Sequence, residues 1–316
     1  MKRHWRKQAA VLLIAVLLLT GSASALFGTK EEAQEGAPQV LDVEMQTYRD
    51  IPGEGEFLAT DQEGDAMTFQ LVREPKKGTV VIEGAAFTYT PNEGAVGKDS
   101  FTYTATDSEG HVSFPAKVTV KIEKTRSGVA YADTEDSPAA WAAQHLAEEG
   151  VFTGSKIGGQ YYFQPDLPVS REEFLAMALE TAGREVTSVT MTGFCDDASI
   201  PTWAKGYAAA GVADGVVQGR ATADGVAFQG SQAVTFNEAA AILDRVLNLG
   251  DVDLSVWYAD RDAVPSWAAQ AVGNMEAVSV LSVGSFGSQT MTQTLTRADA
   301  AQMLAAASAL LEDHSA

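Results

Sequence analysis

Hydrophobic and polar positions along the chain follow two different rhythms. Between residue 39 and about residue 124 they alternate with a period of two, as in Phe87-Thr88-Tyr89 and Phe101-Thr102-Tyr103-Thr104-Ala105, which predicts half-buried strands. Turn signals interrupt the alternation: Pro52-Gly53, Glu63-Gly64-Asp65, Lys77-Gly78, Pro91-Asn92-Glu93-Gly94 and Glu109-Gly110. Short strands spaced in this way predict a small antiparallel sandwich over residues 39–124, long enough to hold a core of its own. Beyond the linker Thr125-Arg126-Ser127-Gly128 the rhythm becomes helical. Apolar residues recur as Phe174, Met177 and Ala178, as Ala239, Ile242 and Leu243, and as Ala300, Met303 and Leu304.

The helical part repeats itself. Tyr131-Ala132-Asp133, Phe194-Cys195-Asp196 and Tyr258-Ala259-Asp260 are each followed by Trp-Ala, at Trp141, Trp203 and Trp267. Three copies divide the region into residues 129–186, 190–250 and 252–312, and such units bury their apolar faces against one another. Each copy predicts a first helix (residues 137–150, 201–211 and 265–279) with Pro138, Pro201 or Pro265 in its first turn. A glycine-rich loop follows, and then a second helix opening on a capping box. Ser170-x-x-Glu173, Thr235-x-x-Glu238 and Thr296-x-x-Asp299 place a hydroxyl at the N-cap and an acid three residues on.

Composition changes the picture mainly at the N-terminus. The chain has 316 residues, 46% of them hydrophobic and 20% charged, which suits a globular protein of two or more domains. Residues 1–25 read as a secretory signal: Lys2, Arg3, Arg6 and Lys7, an apolar run over residues 9–19, then Ala23-Ser24-Ala25. The run is shorter than the roughly 20 residues of a membrane span, so an uncleaved anchor is the lesser alternative. Residues 26–38 form a polar linker. Removing the four basic residues takes the net charge from −20 to −24, which argues against nucleic acid and anionic membrane surfaces as partners. The single cysteine, Cys195, rules out an intramolecular disulfide and is expected to be a small buried hydrophobe. His145 is expected at a helix surface.

The strand region carries a resemblance. Ala59-Thr60-Asp61-x-Glu63-Gly64-Asp65-x-Met67-Thr68-Phe69, Gly78-Thr79-Val80, Phe87-Thr88-Tyr89-Thr90-Pro91, Gly97-x-Asp99-Ser100-Phe101-x-Tyr103 and Ala105-x-Asp107 together resemble cadherin-like or bacterial immunoglobulin-like modules of surface proteins. The resemblance implies that Asp61, Glu63, Asp65 and Asp107 could hold Ca²⁺, a hard cation that takes several oxygen ligands. The alternative is that these acids cap their own turns. No other cofactor is expected.

In the helical repeats two capping boxes carry an arginine directly after the hydroxyl, Ser170-Arg171 and Thr296-Arg297. A cation in the first helical turn is disfavoured by the helix dipole, so its recurrence suggests a use. First-turn amides and a guanidinium make a donor cluster suited to carboxylate or phosphate. The other reading is a structural ion pair, for example with the aspartate of an aromatic-x-Asp triplet. The order aromatic-x-Asp, Trp-Ala, Gly-Val, Phe-x-Pro and Val169-Ser170-Arg171-Glu172-Glu173, repeated in part as Leu295-Thr296-Arg297-Ala298-Asp299, resembles S-layer homology (SLH) repeats. The resemblance implies an α-helical pseudo-threefold bundle whose grooves bind an anionic, often pyruvylated, secondary cell-wall polysaccharide. Arg171 and Arg297 would supply the charge contact, with Ser170, Thr296 and Glu173 beside them. Asp133 and Asp260 would cap the first helix or line a groove, and Trp141 and Trp267 would stack on sugar or anchor the core. The second copy departs, since Val234-Thr235-Phe236-Asn237-Glu238 puts Phe236 where arginine belongs; that groove is expected to be weak or merely structural.

The sequence therefore predicts a secreted, non-catalytic cell-surface protein: an all-β sandwich followed by an SLH-type bundle that attaches it to the cell wall. An adhesin, whose sandwich recognises a protein or glycan, is the alternative. A wall-remodelling hydrolase is the least favoured reading, because no segment remains to house it.

Overall fold

Alternation in the first half produces strands whose inward positions form one core. In the computed structural model, which describes residues 36–135, 137–258 and 260–315, these are β1 (Gln39–Val40), β2 (Val43–Tyr48), β3 (Gly53–Glu56), β4 (Ala59–Thr60), β5 (Thr68–Arg73), β6 (Gly78–Glu83), β7 (Ala86–Pro91), β8 (Gly97–Thr106) and β9 (Ala116–Glu123). The expected signal segment and residues 26–35 of the expected linker lie outside the described residues. One sheet runs β2-β9-β8-β5 and the other β3-β7-β6, with β1 paired to β4. From Phe101 onward every second side chain of β8 is buried, as along β9, and Phe101, Tyr103, Val118, Val120 and Ile122 share one core with Phe57, Phe87 and Tyr89. The Tyr103 hydroxyl donates to Leu41 O (2.7 Å), and burial pushes its pKa up to about 12. One expectation fails: β2 and β9 pair in parallel, Val43 opposite Val118. They lie at opposite ends of the domain, so no hairpin turn dictates their direction.

The chain divides into two units between Arg126 and Ser127. In the second, each repeat yields a first and a second helix. The first repeat gives α1 (Ala140–Glu148), the hairpin of β10 (Ser155–Ile157) and β11 (Gln160–Tyr162), and α2 (Arg171–Thr181). The second gives α3 (Thr202–Ala213), the hairpin of β12 (Arg220–Thr222) and β13 (Gly225–Ala227), and α4 (Phe236–Leu247). Gly154 (φ +64°) and Gly219 (φ +73°) enter the two hairpins where a Cβ would collide with the carbonyls of Tyr162 and Ala227, so only glycine fits. The third gives the short α5 (Leu254–Trp257), α6 (Ala269–Ala277), a loop in place of the hairpin, and α7 (Arg297–Ser315). The prolines stand ahead of the first helices rather than inside them. Pro201 and Pro265 accept the opening bonds from Ala204 N–H (2.9 Å) and Ala268 N–H (2.8 Å).

The repeats interlock cyclically. α1 packs on α7, α3 on α2 and α6 on α4, while α2, α4 and α7 touch one another. The three segments that lead into α2, α4 and α7 close a ring of backbone hydrogen bonds. Val169 N–H donates to Leu295 O (3.0 Å), Leu295 N–H to Val234 O (2.9 Å), and Val234 N–H to Val169 O (2.9 Å). All three side chains are at most 1% exposed. An outer ring repeats the pattern: Arg171 N–H to Gln232 O (2.8 Å), Phe236 N–H to Gln293 O (3.1 Å) and Arg297 N–H to Leu167 O (2.8 Å). A backbone donor buried on such an axis has no water to turn to, so each repeat satisfies the next.

Several single-residue expectations are corrected. His145 is buried, not on the helix surface, because α7 covers α1; its ring stacks on Trp141 at 5.0 Å and 7°. Cys195 is exposed, since the centre of the aromatic-x-Asp triplet points away from the core that takes Phe194. Core anchoring fails for two of the three tryptophans, while Trp141 packs against the core. The neighbouring alanines Ala142, Ala204 and Ala268 face the core, at 0–1% exposure, leaving Trp203 and Trp267 about half exposed (51% and 56%) and Trp141 half-buried.

Candidate functional site: the clefts between repeats

The capping boxes form in all three second helices. Glu173 N–H donates to Ser170 Oγ (3.3 Å) while Ser170 N–H donates to Glu173 Oε2 (2.9 Å). Thr235 with Glu238 (3.4 and 3.1 Å) and Thr296 with Asp299 (3.2 and 2.8 Å) do the same. The box holds one carboxylate oxygen of each acid, and the other oxygen of Glu238 and of Glu173 faces an arginine of another repeat. By analogy with the Phe236–Asp299 junction, which lines a cavity, each meeting point is termed the head of a cleft.

In the first cleft Glu238 Oε2 serves its own N-cap and Oε1 accepts Arg171 Nη2 at 2.6 Å. Arg220, on β12, places a second guanidinium on the same oxygen, so two cations flank one carboxylate. Arg171 and Glu238 are only 13% and 11% exposed. Burial lowers the Arg171 pKa and Glu238 opposes that, yet a guanidinium stays charged. Among the described residues Arg171 Nε finds no partner, and it is buried. Arg220 Nη1 also reaches Gln229 Oε1 and Gln232 Oε1, each at 3.4 Å. In the second cleft Arg297 Nη1 donates to Phe163 O (3.1 Å) and Gln164 Oε1 (3.0 Å), with Nη2 3.9 Å from Glu173 Oε1. Its guanidinium lies 5.2 Å from the centre of the Phe152 ring, a cation–π distance. The arginines therefore do pair with acids, but with the capping-box acid of another repeat, not with the triplet aspartates.

Asp133 and Asp196 have another task. Asp133 accepts from Phe163 N–H and Gln164 N–H, and Asp196 from Phe228 N–H and Gln229 N–H, all at 2.8 Å. Each clamps the strand that returns from the hairpin, so neither caps the first helix. The clamp holds Gln164 (φ 59°) and Gln229 (φ 54°) in the left-handed region, a conformation that non-glycine residues keep only under constraint. Both glutamines are then in place to meet Arg297 and Arg220. Asp260 is exposed, and Met291 N–H bonds Ser288 O instead; the third copy lacks the hairpin that would need a clamp.

Ser170, Glu173, Thr296, Arg171 and Arg297 thus stand at cleft heads, with Arg171 and Arg297 in different clefts. Trp267 is exposed ahead of α6, and Trp141 borders the cleft headed by Phe236. Sequence reasoning missed Arg220, Gln164 and Gln229; an arginine in the glycine-rich loop of so acidic a chain was the available signal.

The acids of the sandwich serve its turns. Asp61 Oδ1 accepts from Glu63 N–H (3.0 Å) and Asp65 N–H (3.1 Å), and Asp65 meets Ser108. Asp107 accepts from Glu109 N–H (2.9 Å) and His111 N–H (2.8 Å). Among the described residues no group of three or more His, Cys, Asp or Glu could hold a metal ion. Asp61 and Asp107 act as turn residues, their carboxylates committed to backbone donors, which is the alternative the sequence offered for these acids.

Residues 36–122 match the family model described as Bacterial Ig domain. The first unit is an Ig-like sandwich. No S-layer homology domain is detected, and the second unit is a helical region. No curated protein matches the chain. Among solved structures, an endo-fucoidan hydrolase of glycoside hydrolase family 107 is 20% identical over 29% of this chain and 14% of its own, with a TM-score of 0.25. The SrpA adhesin R347E mutant from Streptococcus sanguinis is 17% identical over 32% of this chain and 63% of its own, TM-score 0.23. Fibronectin(III)-like modules of Clostridium thermocellum CbhA are 16% identical over 28% of this chain and all of theirs, TM-score 0.19. This chain spans less than a fifth of the glycoside hydrolase, and at these scores no likeness bears on function. Among the described residues no helix is long and apolar enough to cross a membrane.

Proposed function

We propose that this is an exported, non-catalytic cell-surface protein, attached to the cell wall by three SLH-like repeats that bind an anionic secondary wall polysaccharide, of which a pyruvylated polymer is one example. The Ig-like sandwich is the displayed module. The observation that carries the reading is the first cleft, where Arg171 and Arg220 converge on the single carboxylate of Glu238. One positive charge is left over at that point of a chain whose net charge is −20, and planar guanidinium forks suit a carboxylate ligand. Arg297 heads a second such cleft. The acids there are bound to their own N-caps and face arginine, an arrangement that favours recognition over proton transfer.

The test is sedimentation of the mature protein with purified walls, before and after the secondary polymer is stripped. Retention is expected only on unstripped walls. It should be lost in Arg171→Ala/Arg297→Ala, weakened in Arg220→Ala, and reduced by salt as screening shortens the reach of the exposed Arg220. Retention that survives stripping refutes the anchoring mechanism.

A further inference from the structure

The cleft headed by Phe236 is open and has a chemistry of its own. Phe236 and Asp299 border a cavity of about 550 Å³ together with Trp141, Leu281, Met303 and Gln302, within the ~300–1,000 Å³ of small-ligand sites. Trp141 is held from behind by His145, stacked at 5.0 Å and 7°. Ser279, Ser282, Ser285 and Ser288 add hydroxyls along the loop that replaces the hairpin.

Among the described residues, Asp299 is the one charged group lining the cavity. Its counterparts Glu238 and Glu173 face arginine. Asp299 bonds Thr296 through Oδ2, from the backbone N–H (2.8 Å) and the hydroxyl (2.6 Å), as Glu173 bonds Ser170, but Phe236 rather than arginine lines the cavity with it. An anion entering here would meet a carboxylate and no guanidinium, so the charge that selects an anionic ligand in the other clefts rejects it in this one.

We propose that the Phe236 cleft is a third binding site and takes an uncharged sugar residue. Phe236 and Trp141 supply aromatic surface for the apolar face of the ring, and Leu281 and Met303 a dry wall for a methyl such as that of an N-acetyl group. Asp299, Gln302 and the serine hydroxyls supply acceptors and donors for sugar hydroxyls. A binding site with apolar walls and a few convergent polar groups is built in this manner. The proposal rests on the wall-glycan reading for its biological setting but makes a separate physical claim. It would give the unit two ways of holding a polymer, through charge in two clefts and through stacking in the third.

The test uses the full mature chain and N,N′-diacetylchitobiose as probe, followed by the tryptophan indole resonances in ¹H–¹⁵N spectra. Saturable movement of the Trp141 signal is expected, with at least a ten-fold loss of affinity in Phe236→Arg. Gln302→Ala is expected to weaken binding several-fold, and it keeps the test sharp should the Phe236 variant melt early. Failure to saturate up to about 10 mM, at the weak end of specific binding, overturns the site. So does unchanged affinity in Phe236→Arg, or movement of the Trp203 and Trp267 signals with Trp141 still. A chain that binds the disaccharide yet is not retained on walls sinks the anchoring reading alone; one that is retained yet ignores the disaccharide sinks this site alone.

Discussion

Replacing Arg171 with alanine tests whether the first cleft is a buried electrostatic joint between repeats. As the first residue of α2, an arginine would be expected to contribute little to stability, since the helix dipole disfavours it by a few tenths of a kcal/mol. The structure reverses that expectation. The side chain is 13% exposed and donates to Glu238 Oε1 at 2.6 Å across a repeat boundary. Removing it deletes a hydrogen bond between charged groups, worth about 1.5–3 kcal/mol. Glu238 is not then stranded, because Arg220 stays on the same oxygen, which keeps the loss below the roughly 3–5 kcal/mol of an orphaned buried charge. About 2 kcal/mol is therefore expected, or a fall in Tm of about 4–8 °C for a unit of this size. Urea denaturation of Arg171→Ala, Glu238→Gln and the double variant, followed by tryptophan fluorescence, isolates the pair. A coupling energy under about 0.5 kcal/mol would refute the joint, even if wall retention were lost.

The same geometry sets three further outcomes. Asp133→Ala should cost about 2–3 kcal/mol in urea melts, because two backbone donors lose a charged acceptor, whereas Asp260→Ala should stay within about 0.5 kcal/mol. Gly230→Ala should cost about 1–3 kcal/mol, since its Cβ would overlap the buried Glu172 carboxylate; Glu172→Ala in the same chain should recover part of the loss, and no recovery would place the clash on Phe228 instead. Asp197 is held at about pKa 2, below its ordinary 3.8, chiefly by Lys205 Nζ at 2.6 Å and then by Thr192. A lowered folded value stabilises above pH 3.8 and is lost as pH falls through about 2. Asp197→Asn should therefore flatten the fall in Tm across that window, and an unchanged slope would show that the ion pair contributes nothing.

Much of the architecture was legible because it rests on local chemistry. Period-two stretches became strands, and the three capping boxes sit where the serine and threonine hydroxyls put them, since a cap needs only its own four residues. Asp99, prominent in the strand resemblance, proves to be the acceptor for Lys76 N–H (3.1 Å), Lys77 N–H (2.7 Å) and Tyr89 OH (2.9 Å), tying the β5–β6 turn to β8. Features made between repeats were not legible. Nothing local says that Asp133 reaches residues 163 and 164, that Arg171 finds Glu238 rather than a triplet aspartate, or that β2 runs parallel to β9. The tryptophans misled for a related reason. A large aromatic is expected inside, but in each Trp-Ala pair the alanine faces the close-packed interior and the tryptophan takes the outer position.

The cyclic arrangement also explains why the clefts can differ without harm to the fold. The backbone rings through Val169, Val234 and Leu295 involve no functional side chain, so closure does not depend on which residue comes after the N-cap hydroxyl. The capping box binds one oxygen of each acid and is indifferent to the partner of the other. Position N1 is therefore free to be arginine, as in α2 and α7, or phenylalanine, as in α4. Where it is arginine, burying the guanidinium against an acid offsets its desolvation and fixes its fork. Where it is phenylalanine, the acid is the shorter Asp299, held by its N-cap like its counterparts, and the two line the cavity beside Trp141. Putting arginine at position 236 alone would face it with this shorter carboxylate. It should improve anion binding far less than Phe236→Arg combined with Asp299→Glu, and equal gains from the two variants would show that the acid's length and second oxygen do not matter.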